Sequence, residues 1–407
     1  MISRCGELSR LPLNPMNHIV FKIKLVAAVC LAVANTLLAQ TALKDAFQND
    51  FLIGVAVNES QFFETDKSEA ALVKTHFNSI TPENDLKWEQ IHPEPGRYNF
   101  AEADRYVAFG ETNRMFIIGH TLIWHSQTPP WVFQGADGRL PTRAEMLARM
   151  QEHISTIVGR YRGRIKGWDV VNEAVDEDGS LRATPWLKAI GEDYLVKAYQ
   201  FVRAADPQAE LYYNDYGLEN SQKRAGAVRL IKNLQAAGIK VSAVGLQGHY
   251  KLRNDVPSTQ EVDAAITDFM RLGVKVMITE LDVDVLPSEH ETLNADVSAR
   301  SRSEDRLNPF PKRLPAGMQQ KLAARYADLF AVFLRHRNDV TRVTFWGVTD
   351  ADSWLNDWPI AGRTSYPLLF DRAGRSKLAF ERLIELGKSP RMAKISAVKP
   401  VENAENF

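Results

Sequence analysis

Cysteine is nearly absent from this chain. Its 407 residues hold two, Cys5 and Cys30, and both fall within the first 39 positions. From Gln40 onward there is none, which excludes a disulfide framework and cysteine-ligated metal from that part. At such a length an apolar core can suffice. A surplus of one charge is also absent. Lys+Arg and Asp+Glu each number 50, so nothing points to a nucleic-acid or acidic-membrane partner. Long apolar runs are limited to Leu25–Ala39, which Asn35 and Thr36 interrupt. That is short for a membrane span, which takes about 20 apolar residues. Lys22 and Lys24 precede the run, and the small Ala39 ends it. This is the pattern of a secretory signal, so residues 1–39 are expected to be a cleaved leader and the mature chain to be exported to periplasm or medium. A start at Met16 would give a leader of usual length. An uncleaved anchor is the alternative, and a lipoprotein site at Cys30 fits poorly after Val29. Without the leader, 46 basic residues stand against 49 acidic ones.

No internal repeat and no low-complexity linker breaks the rest. Short apolar runs alternate with longer amphipathic ones. The runs predict strands at Leu52–Val57, Ser79–Thr81, Met115–His120, Lys166–Asn172, Glu210–Asn214, Ala243–His249, Val274–Thr279 and Val343–Trp346. The amphipathic segments predict helices at Lys67–Thr75, Glu102–Asn113, Arg143–Tyr161, Glu192–Ala204, Gln222–Ala236, Ser258–Leu272, Met318–Arg337 and Leu378–Leu386. Eight β/α pairs are the count that closes an α/β barrel, the (β/α)8 or TIM barrel, as a single domain over 44–388. A doubly wound open sheet is the alternative. It would carry a glycine-rich phosphate turn after the first strand, and Leu52-Ile53-Gly54-Val55-Ala56 leads into none. Gly238 and Gly273 follow helical runs as C-caps do. The Val285–Gly317 connection is long, polar and proline-bearing, as functional loops often are. Residues 389–407 read as a polar, irregular tail.

The strands end in polar and aromatic groups. In order these are Glu83-Asn84 with Lys87-Trp88, His120 with Trp124-His125, Asn172-Glu173, Asn214-Asp215-Tyr216, Gln247-Gly248-His249, Glu280 with Asp282, and Trp346 with Trp354. A lone strand-end His or Asn is ordinarily structural. Convergence from seven strands is hard to explain that way, because buried polar groups without partners are costly. In a closed barrel the fourth and seventh strands face each other across the mouth. Glu173 and Glu280 would then oppose one another over a cleft, the minimum equipment for glycoside cleavage. Surface ion pairing is the plainer reading of two carboxylates, but both end apolar strands. Trp88, Trp124, Trp346 and Trp354 would offer flat faces to sugar rings, with Asn, Gln, His and Lys groups for the hydroxyls. His120 and His125 are five apart, not a helix-face pair, and no third ligand stands beside them, so a metal site fits less well than sugar binding at His120.

Six motifs now coincide: Glu83-Asn84-x-x-Lys87-Trp88, Gly119-His120-x-x-x-Trp124-His125, Trp168-Asp169-Val170-Val171-Asn172-Glu173, Gln247-Gly248-His249, Ile278-Thr279-Glu280-Leu281-Asp282, and the Trp346/Trp354 pair. Together they resemble a glycoside hydrolase family 10 endo-β-1,4-xylanase over roughly Lys44 to Lys388. The resemblance implies a retaining mechanism with no metal or organic cofactor, acting on xylan and xylo-oligosaccharides. Glu173 would be the acid/base and Glu280 the nucleophile. Asn172 would bond the sugar 2-hydroxyl, and His249, backed by Asp282, would support Glu280. Glu83, Asn84, Lys87, His120, Trp124, Gln247, Trp346 and Trp354 would bind sugars on the non-reducing side, with Tyr216 near the cleavage point. The Val285–Gly317 connection exceeds the minimal family pattern and is expected to meet the leaving-group side. A β-1,4-glucanase or mixed-specificity enzyme on the same scaffold, or a carbohydrate-binding barrel that no longer catalyses, are the alternatives. A monomer is expected, with no nucleic acid and no membrane in its mature form.

Overall fold

The computed structural model describes residues 41–135, 138–287, 301–302 and 304–389. The expected leader, the tail from residue 390, and residues 288–300 and 303 of the long connection fall outside the described residues. Compactness separates Met1–Thr41 from Ala42–Phe407, and the fold is that of the second unit. Eight strands form its wall: β1 (Leu52–Val57), β2 (Ser79–Pro82), β3 (Phe116–Gly119), β4 (Gly167–Asn172), β5 (Glu210–Asp215), β6 (Ala243–Leu246), β7 (Lys275–Asp284) and β8 (Val340–Phe345). Each pairs in parallel with the next, and β8 pairs with both β7 and β1, so the sheet closes into a (β/α)8 barrel. Closure explains why these strands are apolar almost throughout. Helices cover the outside and side chains fill the inside, so neither face meets water. In β4 all six residues are buried.

The intervening helices are α1 (Lys67–His76), α2 (Ala101–Thr112), α3 (Arg143–Arg160), α4 (Tyr194–Ala205), α5 (Ser221–Ala236), α6 (Thr259–Met270), α7 (Ala316–Arg335) and α8 (Leu378–Lys388). Local chemistry starts several of them. The Asp66 side chain accepts from Ser68 and Glu69 N–H at α1, and capping boxes Thr142/Glu145 and Ser258/Glu261 open α3 and α6. Inside the barrel, Ile118, Tyr212, Ala243 and Met277 form a small cluster of their own. Glycine makes room there. A Cβ on Gly167 would lie 2.1 Å from the Tyr212 hydroxyl, and one on Gly245 would lie 2.3 Å from Asn214 Oδ1.

Every predicted strand and helix is present, with ends shifted by a few residues. Strand six differs more. It stops at Leu246, because Gly248 turns the chain at φ +85°, and His249–Lys251 pairs separately with Asp282–Asp284 of an extended β7. Four short helices among the described residues are additional to the predicted ones: Leu43–Ala46, Glu59–Phe62, Trp88–Ile91 and Pro185–Ile190. Among the described residues no helix is long and apolar enough to cross a membrane.

Three histidines are buried under the helices. Burial holds His76 and His92 down to about 4, and His153 well below its ordinary value. Their folded pKa values lie below the unfolded value of about 6.5. Their contribution is therefore complete above pH ~6.5 and is lost as pH falls toward 4. His76 sits against Phe370 and Phe380 at ring-centroid distances of 5.2 and 5.1 Å, and its Nδ1 has no hydrogen-bond partner among the described residues. His76→Phe is therefore expected to lose less unfolding free energy between pH 6.5 and 4 than the parent. Denaturant titrations across that range check it, and parallel curves would contradict it.

Candidate active site

The C-terminal ends of the strands enclose a cleft of about 500 Å³. It is lined by Glu83, Asn84, Lys87, Glu89, His120, Trp124, Ser126, Gln127, Asn172, Glu173, Tyr216, Gln247, His249, Glu280, Trp346, Trp354, Asp357 and Trp358. Of the residues to which the family resemblance gave a site role, Asp282 alone lies behind this lining, where it backs His249. Trp88 is a correction. It is 2% exposed and stacks on His153 with ring centroids 3.5 Å apart, inside a pile that includes His92 and Trp186. Its position after Lys87 puts it on a short helix whose inner face is core, so it offers no face to the cleft.

Glu173 directly follows β4 and is 6% exposed. On an extended strand it would point away from Asn172, since neighbours alternate. Here its φ is +56°, so the chain turns and both side chains reach the cleft. Such a conformation costs a non-glycine residue roughly 1–3 kcal/mol and persists only where the surroundings enforce it. They do so at both ends of the residue. Glu173 N–H donates to Asn214 O at 2.9 Å. Its carboxylate accepts from Trp124 Nε1 at 2.8 Å and from Gln247 Nε2 at 2.9 Å.

Glu280, on β7, is 5% exposed. One oxygen accepts from Asn214 Nδ2 at 2.8 Å, and the other meets His249 Nε2 at 3.0 Å. The far nitrogen of His249 meets Asp282 Oδ2 at 3.1 Å. Burial pushes the Glu280 carboxyl up. The bond from His249, the field of the neighbouring histidines and the Asn214 amide outweigh that and leave it below the ordinary carboxylate range. Burial would pull His249 down, but Asp282 and then Glu280 hold it up at about 10. The imidazolium sits between two carboxylates, so each ion is partnered. Asn214 went unassigned in sequence. Its amide also donates to Asn172 Oδ1 at 2.9 Å, while Thr279 Oγ1 donates to its Oδ1 at 2.6 Å. Its place at the end of β5 was the available signal.

The remaining candidates gather around these two acids. Lys87 Nζ donates to Asn84 and Gln127 at 3.0 and 2.7 Å, and lies 5.3 Å from the Trp124 ring centre. Burial lowers Lys87, with the carboxylates of Glu280, Glu83 and Glu173 opposing it, and burial raises Glu83. His120 Nδ1 is 2.9 Å from Asp169, a partner that sequence reasoning passed over. Among the described residues no group of three His, Cys, Asp or Glu could hold a metal ion. Trp346 meets His120 and His249 edge-on, at 5.5 and 6.3 Å. Trp354 Nε1 donates to Asp282 Oδ2 at 2.7 Å, and its ring stacks on Trp358 at 4.7 Å and 11°. The described part of the long connection approaches this wall: Ser301–Arg302 pairs with Ile360–Ala361, on the loop that carries Trp354. The expectation that the connection meets the leaving-group side falls in part on residues 288–300 and 303, outside the described residues.

The chain is similar to known proteins in sequence and in fold. The family model described as Glycosyl hydrolase family 10 matches residues 42–386. An endo-1,4-beta-xylanase A of Xylanibacter ruminicola is 40% identical over 347 residues, covering 85% of this chain and 94% of its own. A beta-1,4-xylanase of Dictyoglomus thermophilum is 40% identical, covering 84% and 90%. Among solved structures, a GH10 endoxylanase retrieved from sugarcane soil metagenome superposes with a TM-score of 0.82 at 44% identity, covering 85% of this chain and all of that one. A xylanase of Paenibacillus barcinonensis complexed with a conduramine derivative gives 0.76 at 37%, covering 85% and 99%.

Asp282 is the largest influence raising His249. Asp282→Asn should therefore bring the His249 titration from about 10 down toward the ordinary histidine range. NMR titration of the imidazole reads this directly, and a midpoint left in place would count against the arrangement.

Proposed function

The chain belongs to glycosyl hydrolase family 10, and from that premise we propose that it is an endo-1,4-β-xylanase cutting internal bonds of xylan with retention of configuration. The observation that carries the reading is the contrasting partnership of its two carboxylates. Glu280 is held as an anion by His249 and Asn214, as a nucleophile must be. Glu173 stands on the opposite wall, with its carboxyl oriented by Trp124 and Gln247. In the first step Glu173 gives its proton to the glycosidic oxygen while Glu280 attacks the anomeric carbon, and the aglycone leaves. In the second, Glu173 takes a proton from water, which displaces Glu280 and releases the sugar with its original configuration. Asn172 bonds the 2-hydroxyl beside the reacting carbon, an interaction that is worth most in the transition state.

Preference for xylose over glucose follows from the wall beside Glu280. Trp346 and Trp354 are both set against His249, and Trp354 is fixed by its bond to Asp282. Glucose carries a C6 hydroxymethyl that these rings exclude, and xylose does not. Glu83, Asn84, Lys87 and Gln127 supply donors and acceptors for further sugars on the same side. The N-terminal basic and apolar pattern supports export, which would bring the enzyme to a polymer too large to enter a cell.

Glu280→Ala should abolish xylan hydrolysis. Glu173→Ala should lower kcat on unactivated substrates by on the order of 10²–10⁴, and added azide should restore part of its turnover with a β-glycosyl azide as product. Hydrolysis left intact in Glu280→Ala would overturn the mechanism. Aryl xylobioside should be cleaved faster than aryl cellobioside, and equal rates would favour a mixed-specificity glycanase.

A further inference from the structure

We propose that Arg182 is the positioning residue of the acid/base carboxyl, fixing the main chain that carries Glu173 and thereby where its proton meets the leaving group. The inference rests on the acid/base reading of Glu173. It starts from a difficulty of geometry. Glu173 adopts φ +56° just where β4 has ended, so ladder bonds no longer hold the residues that follow. Three successive carbonyls, those of Glu173, Ala174 and Val175, need partners there. All three end on one residue. Arg182 Nε donates to Glu173 O at 3.0 Å, its main-chain N–H to Ala174 O at 2.8 Å, and Nη2 to Val175 O at 3.0 Å.

The chain folds back to make this possible. A turn closed by Asp176 N–H to Ser180 O at 2.8 Å, with a bridge between Val175 and Leu181, returns Arg182 beside the strand end it left. The same Nη2 donates to the Tyr216 hydroxyl at 3.0 Å, and Tyr216 lines the cleft. The Tyr216 ring in turn lies over the Lys223 ammonium, 3.2 Å from its centre. One planar guanidinium thus ties the backbone of the acid to a cleft-lining hydroxyl just past the end of neighbouring β5. Asp176 Oδ1, 3.3 Å from Nη1, completes the set. A lysine carries the charge but lacks the rigid fork that satisfies several carbonyls at once.

The consequence is specific to proton delivery. A leaving group that departs as a stable anion needs no proton, so a displaced Glu173 costs it little. A poor leaving group needs the proton in the transition state, where a displacement of about 1 Å costs on the order of a hundredfold. The test is kcat/KM of Arg182→Met and Arg182→Lys on two aryl β-xylobiosides, one with a dinitrophenyl and one with an unsubstituted phenyl leaving group. Arg182→Met is expected to lose on the order of tenfold to a hundredfold on the phenyl substrate and about twofold or less on the dinitrophenyl one, with Arg182→Lys between it and the parent. Equal losses on both substrates, or none on either, would overturn the proposal. If Arg182→Met fails to fold by circular dichroism, Arg182→Lys decides by the same comparison. Glu173→Ala is the reference. If its loss is equal on the two substrates, the assignment of Glu173 as the acid is what fails. If it discriminates between them and the Arg182 variants do not, only the role of Arg182 falls.

Discussion

Two carboxyl groups are buried at the mouth of the barrel, and burial alone would leave Glu280 neutral and unable to attack. Everything around the cleft answers that constraint. An isolated carboxylate pays heavily for leaving water, so each buried oxygen must find a donor. Glu280 finds an imidazolium and an amide, and Glu173 finds an indole and an amide. The donors come from strand β5 and from the segments after β3 and β6, so the site exists only when the barrel is closed. The Asn214 amide is the tightest junction. It bonds residues of β4 and β7 at once, and it fits because Gly245 beside it has no side chain.

The same economy joins recognition to chemistry. Asp282 Oδ2 receives both the His249 ring and the Trp354 indole. The Trp354 wall of the cleft and the imidazolium that partners Glu280 therefore share one atom as anchor. The loop bearing Trp354 is held in place from below. Arg363 reaches Pro287 O and Leu355 O at 3.2 and 3.4 Å, and Lys377 pairs with the buried Asp350 at 2.8 Å. A buried pair of this kind adds little net stability, but it fixes geometry, because breaking it strands a charge.

Much of this was legible in the chain. Parallel strands covered on both faces read as continuous apolar runs, and the polar groups that end them stand out by contrast, so Asn172-Glu173, Gln247-x-His249 and Glu280-x-Asp282 were visible as a set. Trp88 was misjudged for an equally physical reason. Sequence shows that a tryptophan follows a polar cluster, but the short helix that turns its ring into the core gives no periodic signal. Asn214 and Arg182 went unassigned because their importance lies in whom they bond, and their partners belong to other strands and loops.

By itself the sequence determined the alternation that builds a barrel, the residue types at its mouth and the family to which they belong. These are local properties, carried by periodicity and by motifs a few residues long. Only the tertiary structure decided which tryptophans line the cleft, which oxygen each donor serves, and that Glu280 stays an anion while His249 stays a cation. Those states depend on burial and on partners that the chain brings together from 31 to 66 positions apart. No local pattern encodes such distances, because the free energy of an ion is set by everything that surrounds it.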